Sequence, residues 1–193
     1  DAIKSIGKYA FKGSSSLPII KLSKSVTKIE CGLCYGCESL KEVLFEGKVL
    51  QINEKSFKKC ISLTKIIIPE TVEEIGNSAF QDCISLPEIR VPVLIKSIGS
   101  NCFKGCTSIT AFTIPEGIYY LPQGIFSGCI SLRHIEFPSP VRIIGKGAFS
   151  GCCLIEKINF NYVTEIQDLA LSGCSNLNQL TFGENLLLIG AFA

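Results

Sequence analysis

Residues 75–92 read IGNSAFQDCISLPEIRVP, and the cysteine at their centre, Cys83, is one rung of a regular series. The same residue stands at Cys37, Cys60, Cys83, Cys106, Cys129 and Cys152, each 23 positions after the last, and at Cys174 after one step of 22. Ser14 holds the slot one period earlier. A fixed period of this size is the mark of stacked supersecondary units, each unable to bury its apolar face alone.

With the recurrent cysteine as position zero, the rest of the unit falls into register. Slot +3 is Leu or Ile throughout, as Leu40, Leu63, Leu86, Ile109 and Leu132 illustrate. Slots +6 and +8 are apolar (Ile89/Val91, Phe112/Ile114, Ile135/Phe137), and apolar residues two apart define one face of a β-strand. Pro follows at +9 as Pro69, Pro92, Pro115 and Pro138; lacking an N–H, it ends the strand. A second apolar pair lies at +12 and +15 (Val72/Ile75, Ile95/Ile98), with Gly next at Gly76, Gly99 and Gly145. The unit closes on a small residue and an aromatic, as in Ala79-Phe80 and Ala148-Phe149, with Phe57, Phe103 and Phe126 in the same aromatic slot. Equivalent side chains of successive units are therefore expected to form ladders, one of Phe and one of Cys on one side of the core, with Leu and Ile beneath the strands.

The frame IGxxAFxxCxSLxxIxIP resembles the 23-residue BspA-type class of the leucine-rich repeat family over essentially the whole chain, in about eight units. That resemblance implies a repeat solenoid, a right-handed superhelix rich in β-structure. A parallel sheet would line its concave face, with short turns or 3-10 pieces and short second strands on the other sides. Three departures are visible: Cys34 stands for Phe in the second unit, Leu171 for Phe in the eighth, and Leu121-Pro122 for Ile-Gly in the sixth.

Residues 1–193 form a single domain on this reading. The chain opens on DAIKSIGKYAF and ends on LLLIGAFA, both inside repeat units, so it is expected to be a piece of a longer array. The net charge of +2 leaves no basic stripe for nucleic acid, and no apolar run reaches the roughly 18–20 residues of a membrane helix. An Asn-x-Ser/Thr sequon is absent.

Cys31-x-x-Cys34-x-x-Cys37 has the spacing of a thiolate ligand motif. Against that, Cys37 occupies the ladder and Cys34 the aromatic slot, while Cys31 takes a slot held elsewhere by Glu54, Asn77 and Ser100. No metal or other cofactor is expected. The ladder cysteines are expected to be free thiols that pack as small hydrophobes.

The chain has one His, His134, followed two residues on by Glu136, a pair that could form half of a general-base arrangement. No nucleophile accompanies it at a matching slot, and no enzymatic activity is expected. Slots +5 and +7 project from the concave sheet. Leu44, Lys65, Ile67, Glu88, Arg90, Thr113, His134 and Glu136 are its candidate ligand-binding residues, with Glu42, Lys65 and Glu88 alternating in sign along one row. A second candidate patch lies on the descending flank, where the usually polar slot +14 becomes Tyr120 and Ile143, near Leu94 and Tyr119. Such open surfaces suit a protein or peptide partner better than a small molecule. The family resemblance implies an adhesin-like protein at the cell surface or outside the cell; a cytoplasmic scaffold is the alternative reading.

Overall fold

The alternation of apolar slots at +6 and +8 produces the first side of each coil. In the computed structural model, which describes residues 3–137 and 141–193, seven concave strands stack parallel to one another: Ile19–Leu22, Glu42–Phe45, Lys65–Ile66, Ala111–Thr113, His134–Glu136, Lys157–Phe160 and Gln179–Phe182. Pairing keeps the repeat in register, so that Ile19 lies beside Glu42 and Glu42 beside Lys65, slot upon slot. A second side carries two-residue strands, from Lys28–Ile29 to Leu188–Ile189, again parallel and in register. The result is a β-solenoid of about seven turns. Pro138, one of the four strand-ending prolines, lies outside the described residues.

The convex side is built from turns, and the 3-10 alternative is not taken up among the described residues. Donors alternate between coils. Phe57 N–H bonds Ala79 O of the next coil at 2.9 Å, Lys58 N–H turns back to Lys55 O at 3.1 Å, and Lys59 N–H reaches forward to Gln81 O at 2.8 Å. Forward-pointing donors two residues apart require backbone reversals between them. They come from left-handed residues at slots −5 and −1, such as Lys55 and Lys59 (φ 57° and 60°) or Gly124 and Gly128 (φ 61° and 74°). This ladder runs unbroken from Tyr9 to Ala191.

Inside, Phe57, Phe80, Phe103, Phe126 and Phe149 stack with centroids 5.5–5.9 Å apart and planes within 13–16°. Phe112 packs edge-on against Phe126 at 4.8 Å. Cys34 and Leu121 are fully buried and Leu171 nearly so, so the three departures from the frame still fill their slots. The thiols do more than fill space. Each ladder sulfur donates to the carbonyl of the aromatic slot in the preceding coil: Cys60 to Cys34 O, Cys83 to Phe57 O, Cys106 to Phe80 O and Cys129 to Phe103 O, all at 3.1 Å. All eleven cysteines are free.

One strand per coil is the sequence expectation, and the fourth coil departs from it: Glu88–Val91 joins no sheet. The cause is Pro87. At slot +4, Lys41 N–H bonds Pro18 O at 2.7 Å and Thr64 N–H bonds Lys41 O at 3.0 Å. The next residue in that series is Pro87, which has no N–H to offer Thr64. A second proline interrupts the other strand series close by. Gly76 and Gly99 donate to Ile52 O and Ile75 O at 2.7 and 2.8 Å; Pro122 breaks the series at Ile98, and Gly145 resumes it on Leu121 O. The second-side sheet therefore divides between Ser97–Ile98 and Tyr120–Leu121. Between the fourth and fifth coils the main-chain bonding runs through the convex turns alone.

Candidate recognition surface

Because slots +6 and +8 are drawn inward by the core, slots +5 and +7 point out of the concave sheet. Lys65, Ile67, Glu88, Arg90, Thr113, His134 and Glu136 are exposed, as is Leu44 at 38%. All eight residues expected on this face therefore lie on it. They divide by environment. On the early coils, Lys65 Nζ pairs with Glu42 Oε1 at 2.5 Å, which satisfies two of the three alternating charges and leaves Glu88 outside the pair. Beside that pair Ile67 is 74% exposed, and Leu44, Ile67 and Phe45 border a shallow depression of about 280 Å³ with Glu42 and Lys65. An exposed aliphatic ridge next to a neutralised ion pair is the apolar half of the face.

The middle of the face coincides with the opening at the fourth coil. Glu88, Arg90, Val93, Thr113 and Glu116 rim a groove of about 800 Å³ whose floor is Ile89, Phe112 and Ile114. It runs between the unpaired Glu88–Val91 segment and the Ala111–Thr113 strand. A second groove of about 840 Å³ lies between the His134–Glu136 and Lys157–Phe160 strands, which are also unpaired with each other. Arg133, His134, Lys157, Glu156, Asn159 and Gln179 line it, a polar rim with few apolar groups. Glu136 Oε2 accepts from Thr113 Oγ1 at 3.1 Å, so its carboxylate is engaged across strands.

Sequence reading located the rows but missed these grooves. The available signal for the unpaired fourth coil was Pro87 at slot +4, where Thr64 and Thr110 stand in neighbouring units.

On the flank, Leu94 is 71% exposed, Tyr119 and Tyr120 are exposed and Ile143 is half-buried. Tyr120 lies in register with Ile143, and both strands belong to the sheet that begins after Pro122. The structure thus brings Tyr120 and Ile143 together as neighbours.

The Cys31, Cys34 and Cys37 sulfurs do not converge. Cys31 turns to the Tyr9 hydroxyl of the first coil at 3.4 Å, whereas Cys34 and Cys37 lie in the core. Among the described residues no three metal-donor side chains come together.

The family model described as BspA type leucine rich repeat region, in six copies, matches residues 1–110 and 96–193. The chain belongs to the BspA-type leucine-rich repeat family. Its fold is similar to that of a solved leucine-rich repeat protein of T. pallidum (27% identity, TM-score 0.70), over 89% of this chain and 70% of the other. A leucine-rich repeat protein from Bacteroides ovatus matches at 21% identity and TM-score 0.65 over 97% of this chain and 66% of its own, a likeness of fold. A leucine rich cell surface protein from Faecalibacterium prausnitzii matches at 25% identity and TM-score 0.51, over 90% of this chain and 62% of that one. No curated protein matches the sequence. Repeats of this family are in general protein-interaction modules. No helix of the described residues is long and apolar enough to cross a membrane.

Proposed function

We propose that this chain is a protein-recognition module that binds a protein or peptide ligand through its concave face, in an adhesin-like role at the cell surface. One observation carries the reading: Leu44 and Ile67, exposed aliphatics on adjacent coils, stand on the same face as Arg90, at the rim of the groove beside the unpaired Glu88–Val91 segment. An apolar ridge followed by a charged groove offers area, anchoring contacts and orientation without a closed pocket, which fits a polypeptide better than a metabolite. Lys65, Glu88, Thr113, His134 and Glu136 supply the polar contacts around it. The near-neutral charge of the chain disfavours nucleic acid as the partner. The surface location is supported by the family and by the cell-surface protein among the structural neighbours.

The immobilised chain is to be tested against purified extracellular-matrix proteins and against lysate of its own cells. Leu44→Asp combined with Arg90→Glu is expected to reduce capture of whatever ligand is found at least tenfold, with circular dichroism unchanged. Capture insensitive to that double variant removes the concave face. The flank patch of Leu94, Tyr119, Tyr120 and Ile143 is then the next candidate, and Tyr119→Ser with Tyr120→Ser is its variant.

A further inference from the structure

The thiols of the second coil differ from every other pair in the chain. Elsewhere the aromatic slot −3 holds Phe or Leu; Cys102 stands four residues before Cys106 and Cys153 directly after Cys152, so no other ladder cysteine has a sulfur three residues before it. In the second coil Cys34 takes that slot, and the turn Cys34-Tyr35-Gly36-Cys37 carries two thiols three residues apart. Cys37 N–H bonds Cys34 O at 3.1 Å, with Gly36 left-handed at φ 71°. A turn closed in this way holds its end Cα atoms within about 7 Å, and a disulfide needs roughly 4.4–6.8 Å. Both side chains are on the inner side and fully buried. Like the later ladder cysteines, Cys37 also donates to a carbonyl of the coil before, Phe11 O at 3.0 Å, a bond that oxidation would give up. Cys31, the other cysteine three residues from Cys34, faces outward to Tyr9.

We propose that Cys34 and Cys37 form a dithiol–disulfide site, oxidised by exchange with a small-molecule disulfide such as oxidised glutathione. The Cys37 thiolate attacks one sulfur of the oxidant, forming a mixed disulfide and releasing one thiolate. Cys34 then gives up its proton and attacks the Cys37 sulfur, closing the intramolecular bond and expelling the second thiol. Two protein thiols and one disulfide become one protein disulfide and two small thiols, with two electrons passing to the oxidant. The order follows from the environment. The neighbouring Cys34 side chain holds the Cys37 thiol below its ordinary range against the opposing effect of burial, while Cys37, then burial, push Cys34 up. Ser14 holds the slot below Cys37, so Cys37 has a ladder thiol as neighbour on one side only.

The test equilibrates the chain in glutathione buffers stepped from reducing to oxidising. Each sample is quenched with acid and alkylated in denaturant, and peptide 29–41, which contains Cys31, Cys34 and Cys37, is read by tandem mass spectrometry. At the oxidising end most of this peptide is expected to have lost two hydrogens and to carry one alkyl group, on Cys31. Cys31→Ser is expected to keep the bond; Cys34→Ser and Cys37→Ser are expected to lose it. Three results overturn the proposal: three alkylated cysteines at the oxidising end, a bond that includes Cys31, or a glutathione adduct that persists on Cys37. Fragmentation of the unmodified sequence decides between them even if a variant fails to fold.

Discussion

Cys83 donates its thiol hydrogen to the carbonyl oxygen of Phe57, 26 residues earlier and one coil below, at 3.1 Å. That oxygen already accepts the N–H of Cys60 at 3.1 Å, so both of its lone pairs are used. Cysteine suits this slot because it fills apolar volume and still offers a weak donor to a buried acceptor. Cys83→Ala is therefore expected to cost about 1–3 kcal/mol, from the lost bond and the lost packing together. Urea denaturation measures it, and a midpoint equal to that of the parent chain contradicts the role.

Phe103 touches the rings of Phe80, Phe126 and Phe112 with centroids at 5.9, 5.7 and 5.2 Å. Removing it opens a cavity at the middle of the stack, bordered by coils on both sides. Phe103→Ala is expected to destabilise by about 3–5 kcal/mol, with hydrogen-exchange protection lost over several coils. An unchanged melting temperature, or loss confined to one coil, contradicts a shared spine.

Slot −1 is Gly in most coils and left-handed in the third and fourth even where it is Lys59 (φ 60°) or Asp82 (φ 61°). A left-handed non-glycine residue costs roughly 1–2 kcal/mol, against the roughly 0.5–1 kcal/mol of extra chain entropy a glycine loses. Lys59→Gly is expected to stabilise the protein by about 0.5–1 kcal/mol. A loss of stability shows that the Lys59 side chain contributes more than its backbone costs.

Burial pushes the thiols of Cys60, Cys83, Cys102, Cys106, Cys129 and Cys152 well above their ordinary value, and that of the half-buried Cys174 up to about 11. Above pH ~9 the unfolded chain releases these protons while the folded chain retains them, so folding stability falls as pH rises. Each buried thiol contributes a slope of about 1.4 kcal/mol per pH unit in that window. Denaturant midpoints measured from pH 8 to pH 11 are expected to drop steeply, and replacing Cys106 with Ala is expected to make the slope shallower. A flat profile through pH 10 means that the ladder thiols ionise in place.

The period of Cys37 to Cys174 made the solenoid legible, and the alternation at slots +5 to +8 placed Leu44, Ile67 and Arg90 outward because strand geometry leaves no third choice. The convex side was less legible. Its left-handed slots hold Lys55, Ser78, Asn101 and Leu169 as well as Gly, so no single residue type marks them. The thiol-to-carbonyl bonds were also hidden, because a cysteine in a hydrophobic slot reads as a packing residue until the opposing carbonyl is located. Pro87 and Pro122 were visible, yet their effect depends on which neighbouring carbonyls lose their donors, Thr64 O of the third coil and Ile98 O of the fourth.

Thiol accessibility tests the central claim most directly. In the fully reduced native protein, Cys31, Cys153 and Cys174 are only half-buried, and the other eight of the eleven cysteines lie in the core. A chromogenic disulfide reagent is expected to titrate no more than those three quickly, the remaining eight reacting only at the rate of unfolding. Eleven thiols reacting together without denaturant would contradict a continuous inner spine built on the repeated cysteine.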